Sequence, residues 1–229
     1  MSKTITWEHD GLSFDVRVSG PQAGEPLLLH GFPQDSTCWD ALGENLVAAG
    51  YRTIAPDQRG YSPGARPRNV GSYSLDNLTG DVIALADDFE LEGFHLVGHD
   101  WGGVVVWELA ARRPERVSSL TSLSMPHPAA STPIEVPTLY VWGTADGALG
   151  GRAARATEQH VNGPYRFEML WDASHWLPED EADKVAELLL DHLEAFAESS
   201  SQGRSCLASS CSWFRGPARG QDRGGSWRS

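Results

Sequence analysis

The sequence predicts an α/β fold, a mostly parallel, doubly wound sheet with helices on both faces. After an opening pair of strand-like segments, short apolar runs alternate with stretches of helical length, the pattern of successive βαβ units. Polar or glycine-rich loops follow the apolar runs, as expected where strand ends gather at one edge of a sheet. A strongly amphipathic segment near the end supplies a covering helix.

Ile5 to His9 and Leu12 to Val18 form the opening pair, with a turn at Asp10-Gly11. Pro26 to Leu29 reads as a buried strand, Trp39 to Ala49 as a helix ended by Gly50, and Arg52 to Ala55 as the next strand. A helix over Asp76 to Phe89, a strand over Phe94 to Val97 and a helix over Gly103 to Arg112, stopped by Pro114, extend the sheet. Val117 to Leu123 and Thr138 to Trp142 are further strands. Between them lies only Ser124 to Pro137, proline-rich and short for a helical crossover. Gly151 to His160 then reads as a helix, Arg166 to Trp171 as the last strand, and Asp183 to Phe196 as the final amphipathic helix.

At 229 residues, with 40% hydrophobic and 21% charged residues, the chain can bury one sizeable core. From Ser199 the composition turns to Ser, Gly and Arg without periodicity, so the expected organisation is one domain over residues 1–198 and a disordered tail over 199–229. That tail holds five arginines against one acid, although the formal net charge is −13; the acidity therefore belongs to the body. Such a body repels phosphate backbones and suits a small-molecule substrate rather than nucleic acid. No apolar run approaches the roughly 20 residues of a membrane span, and the start lacks the regions of a signal peptide, so the cytoplasm is the expected compartment. Cys38, Cys206 and Cys211 have neither disulfide-framework nor zinc spacing, and no metal or cofactor is expected. The oligomeric state is left open.

The strongest chemical signal is Gly98-His99-Asp100-Trp101-Gly102-Gly103, where a strand gives way to a helix. Small residues two positions either side of a central side chain permit a sharp turn that thrusts it above the sheet, a nucleophile elbow. An Asp capping the next helix would account for the acid but not for the glycines. A carboxylate attacking an acyl carbon would give a mixed anhydride, whereas attack on saturated carbon gives an ordinary ester, so Asp100 favours displacement at sp³ carbon. Freeing that ester needs a base and an acid to orient it. Asp146, beyond the Thr138 strand, and His175, beyond the last strand, follow in the required order. Asp172 is a competing acid, lying close to the strand end. His99 is expected to pack beside the elbow. The loop Leu29-His30-Gly31-Phe32-Pro33 follows a strand, where a free amide could join that of Trp101 in an oxyanion hole. His30, Pro33, Tyr61 and Trp176 are the candidates for substrate contact.

Together, HGFPQ at His30 to Gln34, DQRGYSPGARP at Asp57 to Pro67, GHDWGG at Gly98 to Gly103 and the Asp146 and His175 loops resemble the epoxide hydrolases of the α/β-hydrolase superfamily, a likeness shared with haloalkane and fluoroacetate dehalogenases. It runs from about Thr6 to Glu198. It implies Asp100 as nucleophile, His175 as base, Asp146 as its orienting acid, and the amides of Phe32 and Trp101 as the oxyanion hole. Phe32 with Pro33 matches the epoxide-hydrolase style of this loop, making a dehalogenase the second enzyme reading.

The sequence departs from that family after Met125-Pro126-His127-Pro128, where members insert a mostly helical cap; the deletion point falls near 126–136. In epoxide hydrolases the cap supplies two tyrosines that protonate the epoxide oxygen. Tyr61 is the nearby phenol here. The expectation is a capless α/β-hydrolase whose turnover is impaired, the rival from another class being a truncated, non-catalytic homologue with exposed apolar surface.

Overall fold

The computed structural model describes residues 2–21, 24–129 and 132–196. Among the described residues eight strands form one sheet: β1 (Lys3–His9), β2 (Leu12–Ser19), β3 (Pro26–Leu29), β4 (Thr53–Pro56), β5 (Phe94–His99), β6 (Val117–Leu123), β7 (Thr138–Gly143) and β8 (Tyr165–Leu170). Their order is β1-β2-β4-β3-β5-β6-β7-β8. The β1–β2 hairpin turns at Asp10-Gly11, both at positive φ, and β2 lies antiparallel to β4. The pairings from β4 through β8 are parallel.

Six α-helices among the described residues flank this sheet: α1 (Asp40–Ala48), α2 (Leu75–Asp88), α3 (Trp101–Arg112), α4 (Gly151–Ala156), α5 (Leu177–Asp180) and α6 (Ala182–Phe196). Alternation along the central strands divides the core between two layers. Leu27, Leu29, Ile54 and Leu96 face α2 and α3 through Val82, Leu85, Val105, Val106 and Leu109. Their neighbours Leu28, Ala55 and Val97 face α1 and α6 through Leu42, Leu46, Val185, Leu189 and Leu193. Each such leucine is fully enclosed, so truncation to alanine costs about 2–5 kcal/mol.

Several boundaries move from those the sequence predicts. Only Gly151–Ala156 is α-helical; Thr157–His160 tightens into a 3-10 turn, where the Thr157 hydroxyl receives the His127 amide at 3.1 Å. Ser36–Trp39 is likewise a 3-10 turn ahead of α1, capped by Asp35. Helix α3 begins two residues earlier than predicted, immediately after Asp100, and α5, initiated by Pro178, is an unpredicted addition. Strand β8 is half-buried throughout and is shifted one residue back, ending at Leu170.

Strand β6 passes to β7 through residues 124–137, in which no helix occurs among the described residues. Ile134 makes a single parallel bridge to Val161 there. The segment from Ser199, expected to be disordered, lies outside the described residues. No helix among those described is long and apolar enough to cross a membrane, and they contain no group of three or more potential metal ligands.

Candidate active site

The chain reverses between β5 and α3 at Asp100, whose φ of 49° and ψ of −118° place it where a non-glycine residue stores on the order of 1–3 kcal/mol of strain. Two glycines make the turn possible. A Cβ on Gly98 would stand 2.5 Å from the Gly102 carbonyl oxygen, and one on Gly102 would stand 2.0 Å from that of Leu29. Helix α3 therefore packs onto β3 and β5 only with glycine at both positions, and that packing holds the Asp100 carboxylate above the carboxyl edge of the sheet.

Asp146 follows β7 and His175 follows β8, so the parallel sheet delivers both to the same edge. His175 bridges the two acids: its Nδ1 lies 2.8 Å from Asp146 Oδ2 and its Nε2 lies 3.4 Å from Asp100 Oδ2. The Asp146 side chain is fully enclosed, and its Oδ1 accepts the Ala148 and Leu149 amides at 2.8 and 2.9 Å. Those bonds aim its second oxygen at the imidazole. Asp172, the competing acid, is exposed at φ 58°, its amide donating to Thr144 Oγ1, while the acid bonded to His175 Nδ1 is Asp146.

Strand β3 contributes the other side of the site. The Phe32 amide donates to Asp100 Oδ1 at 2.9 Å, and the Trp101 amide hydrogen-bonds the same carboxylate. Burial pushes the Asp100 carboxyl up, but hydrogen bonds from His175 and from these two amides outweigh it and hold the group below its ordinary value. For His175 the balance runs the other way: the Asp100 hydrogen bond, opposed by burial and helped by Asp146, raises it.

Tyr61 stands in the loop after β4, which is tied down by the buried bidentate pair of Arg59 with Asp81, at 2.6 and 2.8 Å. Its phenol is raised by burial and by the Asp100 charge. Trp176 packs edge-on to His175, ring centroids 5.1 Å apart. Phe32 and Trp101 are 63% and 59% exposed, and Pro33, joined to Phe32 by a cis peptide, is exposed too.

His30 sits apart from the substrate face. It is fully buried, with Nδ1 against the Gly31 carbonyl at 2.9 Å and Nε2 receiving the Gln58 amide at 3.0 Å, so both ring nitrogens are occupied by backbone. Its ring supports Tyr61 edge-on at 4.5 Å. His99, expected beside the elbow, is there. Sequence reasoning missed that His99 Nε2 and Ser124 Oγ both reach the His175 carbonyl at 2.8 Å, and that Gln34 meets His99. These residues come from separate segments, and no motif spacing announces their convergence.

The sheet and its carboxyl-edge residues define an α/β-hydrolase fold, and a family model described as alpha/beta hydrolase fold matches residues 27–136. Within that fold the chain is similar to epoxide hydrolases. It is 37% identical over 170 residues to Epoxide hydrolase A of Mycobacterium tuberculosis, covering 65% of this chain and 52% of that protein. It is 43% identical over 120 residues to AB hydrolase superfamily protein YfhM of Bacillus subtilis, covering 52% and 42%. The chain thus spans about half the length of these relatives. The crystal structure of Epoxide Hydrolase A from Mycobacterium thermoresistibile superimposes with a TM-score of 0.79 at 21% identity, covering 85% of this chain and 98% of that one.

Proposed function

We propose that the protein is a hydrolase that opens small epoxides through a covalent ester on Asp100. The observation that carries this reading is His175 standing between two carboxylates, Asp100 and Asp146, with Asp100 held by main-chain amides. Oδ2, the Asp100 oxygen toward His175, attacks the epoxide carbon, and the carbon–oxygen bond of the ring breaks. The oxygen released takes a proton from Tyr61, the phenol that senses the Asp100 charge, and solvent reprotonates the tyrosine. His175 then removes a proton from water, whose oxygen adds to the Asp100 carbonyl carbon. Negative charge gathers on Oδ1, which the Phe32 amide meets, with the Trp101 amide on the same carboxylate. Collapse expels the diol with Oδ2, and His175 returns the proton to it.

Displacement of halide would use the same carboxylate. Phe32 offers a departing halide no side-chain donor, which favours the epoxide.

We infer further that a helical cap has been lost near residues 126–136 from a one-domain body over residues 1–198, and that turnover is slow for that reason. The two aromatics beside the nucleophile are more than half exposed, and in a wet site charge interactions lose most of their strength. The expected setting is the cytoplasm, with a small molecule as substrate.

One turnover of styrene oxide in ¹⁸O-water, with protein in excess, tests the route. An unlabelled diol and ¹⁸O in Asp100 are expected, because on this route water enters at the carboxyl carbon. A diol labelled in that first turnover, from protein carrying no label, would mean that water attacks the epoxide directly.

A further inference from the structure

The His175 carbonyl is gripped by two groups, Ser124 Oγ and His99 Nε2, each at 2.8 Å. The second grip is part of a longer chain. His99 Nδ1 lies 2.8 Å from Gln34 Oε1, and Gln34 Nε2 donates to the Glu179 carboxylate at the other end. His99 is completely buried, so no water can settle its account.

This chain contains a conflict that proton counting exposes. Both His99 nitrogens face oxygen acceptors, and a neutral imidazole carries a single N–H. If Nδ1 holds the proton, it satisfies Gln34, and the bare Nε2 lone pair then opposes the His175 carbonyl. As long as Gln34 stays bonded to Glu179, two arrangements remove the conflict. Glu179 can be protonated and donate to Gln34 Oε1, with the amide turned so that its NH₂ donates to His99 Nδ1 and leaves Nε2–H for the carbonyl. Alternatively, His99 takes a second proton and donates from both nitrogens. Each arrangement holds one proton more than a Glu179 carboxylate and a neutral His99 supply together.

We propose that Glu179, Gln34 and His99 form a proton-linked positioning relay, which completes the grip on His175 only when it carries that extra proton from solvent. Burial drives His99 down to about 4, whereas burial raises Glu179, which favours the arrangement with the extra proton on Glu179 and Gln34 turned over the one with a doubly protonated His99. The titratable groups facing Glu179 are Asp180, His175 and the Cys38 thiol; those facing His99 are His175, Asp100 and Asp146. Of the acids that face the Cys38 thiol beside Glu179, Asp35 bonds Thr37, Asp40 pairs with Arg17 and Asp57 accepts the Ser36 amide. As pH rises and the proton leaves, the amide returns to Glu179, His99 changes tautomer, and Ser124 alone holds the His175 carbonyl. The catalytic consequence rests on the epoxide-hydrolase reading; the tautomer change does not.

Glu179→Gln supplies a permanent N–H to Gln34 and imitates the protonated relay. Spectra of ¹⁵N-histidine-labelled protein, recorded from about pH 5 to about pH 9, should show wild-type His99 passing from the Nε2–H to the Nδ1–H tautomer. The Glu179→Gln variant should keep Nε2–H throughout. Identical His99 behaviour in the two proteins, or an unchanging ring in the wild type, would overturn the relay. Where turnover is measurable, kcat should decline at alkaline pH in wild type and not in Glu179→Gln, with KM unchanged. Tautomer switching without any turnover would count against the enzyme reading alone.

Discussion

His175 Nδ1 rests 2.8 Å from a carboxyl oxygen of Asp146 that is fully enclosed by protein. Because the Ala148 and Leu149 amides fix the other oxygen, an asparagine at this position keeps its carbonyl there and turns its NH₂ toward His175. The imidazole is then driven to carry its proton on Nε2, where the base is needed. Asp146→Asn should still form the ester and should slow its hydrolysis by on the order of 10³–10⁴-fold. Rapid-quench measurement of accumulated ester checks this, and equal slowing of both steps would not fit.

The raised His175 and depressed Asp100 share one interaction, to which Asp146 adds for His175 and the Phe32 and Trp101 amides add for Asp100. Its contribution to stability through His175 is complete below that residue's ordinary value of 6.5 and is lost as pH rises through the higher folded value. Through Asp100 it is present above the ordinary value of 3.8 and is lost as pH falls through the lower folded value. Esterification neutralises Asp100 and removes the largest influence raising His175. The acid limb of kcat should therefore lie at lower pH than the titration of His175 in free protein, read by imidazole spectra. Coincidence of the two would show that Asp100 does not govern His175.

A Cβ on Gly31 would stand 2.4 Å from the Cβ of Asp100 and 2.7 Å from its Oδ1. Gly31→Ala should displace the Asp100 carboxylate from the Phe32 amide and, if the proposed route holds, abolish ester formation. The fold should persist, because the clash is with a side chain at the sheet edge rather than with the core. Wild-type denaturant stability with no ester is the expected pair of results; an alanine variant that alkylates normally would contradict the geometry.

On the proposed route, the proton for ring opening comes from Tyr61. Tyr61→Phe should lower the single-turnover alkylation rate by about 100-fold or more, the usual scale for a positioned proton donor. Hydrolysis of ester already formed should be unaffected. If alkylation is unchanged, the proton comes from water.

The sharp turn at Asp100 was legible because two sterically obligatory glycines, Gly98 and Gly102, bracket it in the sequence itself. Asp146 and His175 were readable for a related reason: a parallel sheet sends every strand end to one edge, so order along the chain stands in for proximity. His30 shows the limit of that argument, since position after a strand does not say which way a side chain turns. The break of the predicted Gly151–His160 helix depends on Thr157 meeting the His127 amide from a distant loop, and local periodicity carries no trace of it. The convergence of Ser124, His99, Gln34 and Glu179 around His175 was invisible for the same reason.

The central claim, an aspartate that bonds covalently to saturated carbon, is tested most directly by trapping. His175→Gln removes the base that frees the ester while leaving Asp100 in place, so incubation with styrene oxide should raise the protein's mass by that of one epoxide, and peptide sequencing should place the addition on Asp100. Unmodified protein under those conditions, or an adduct on any other residue, would contradict the account.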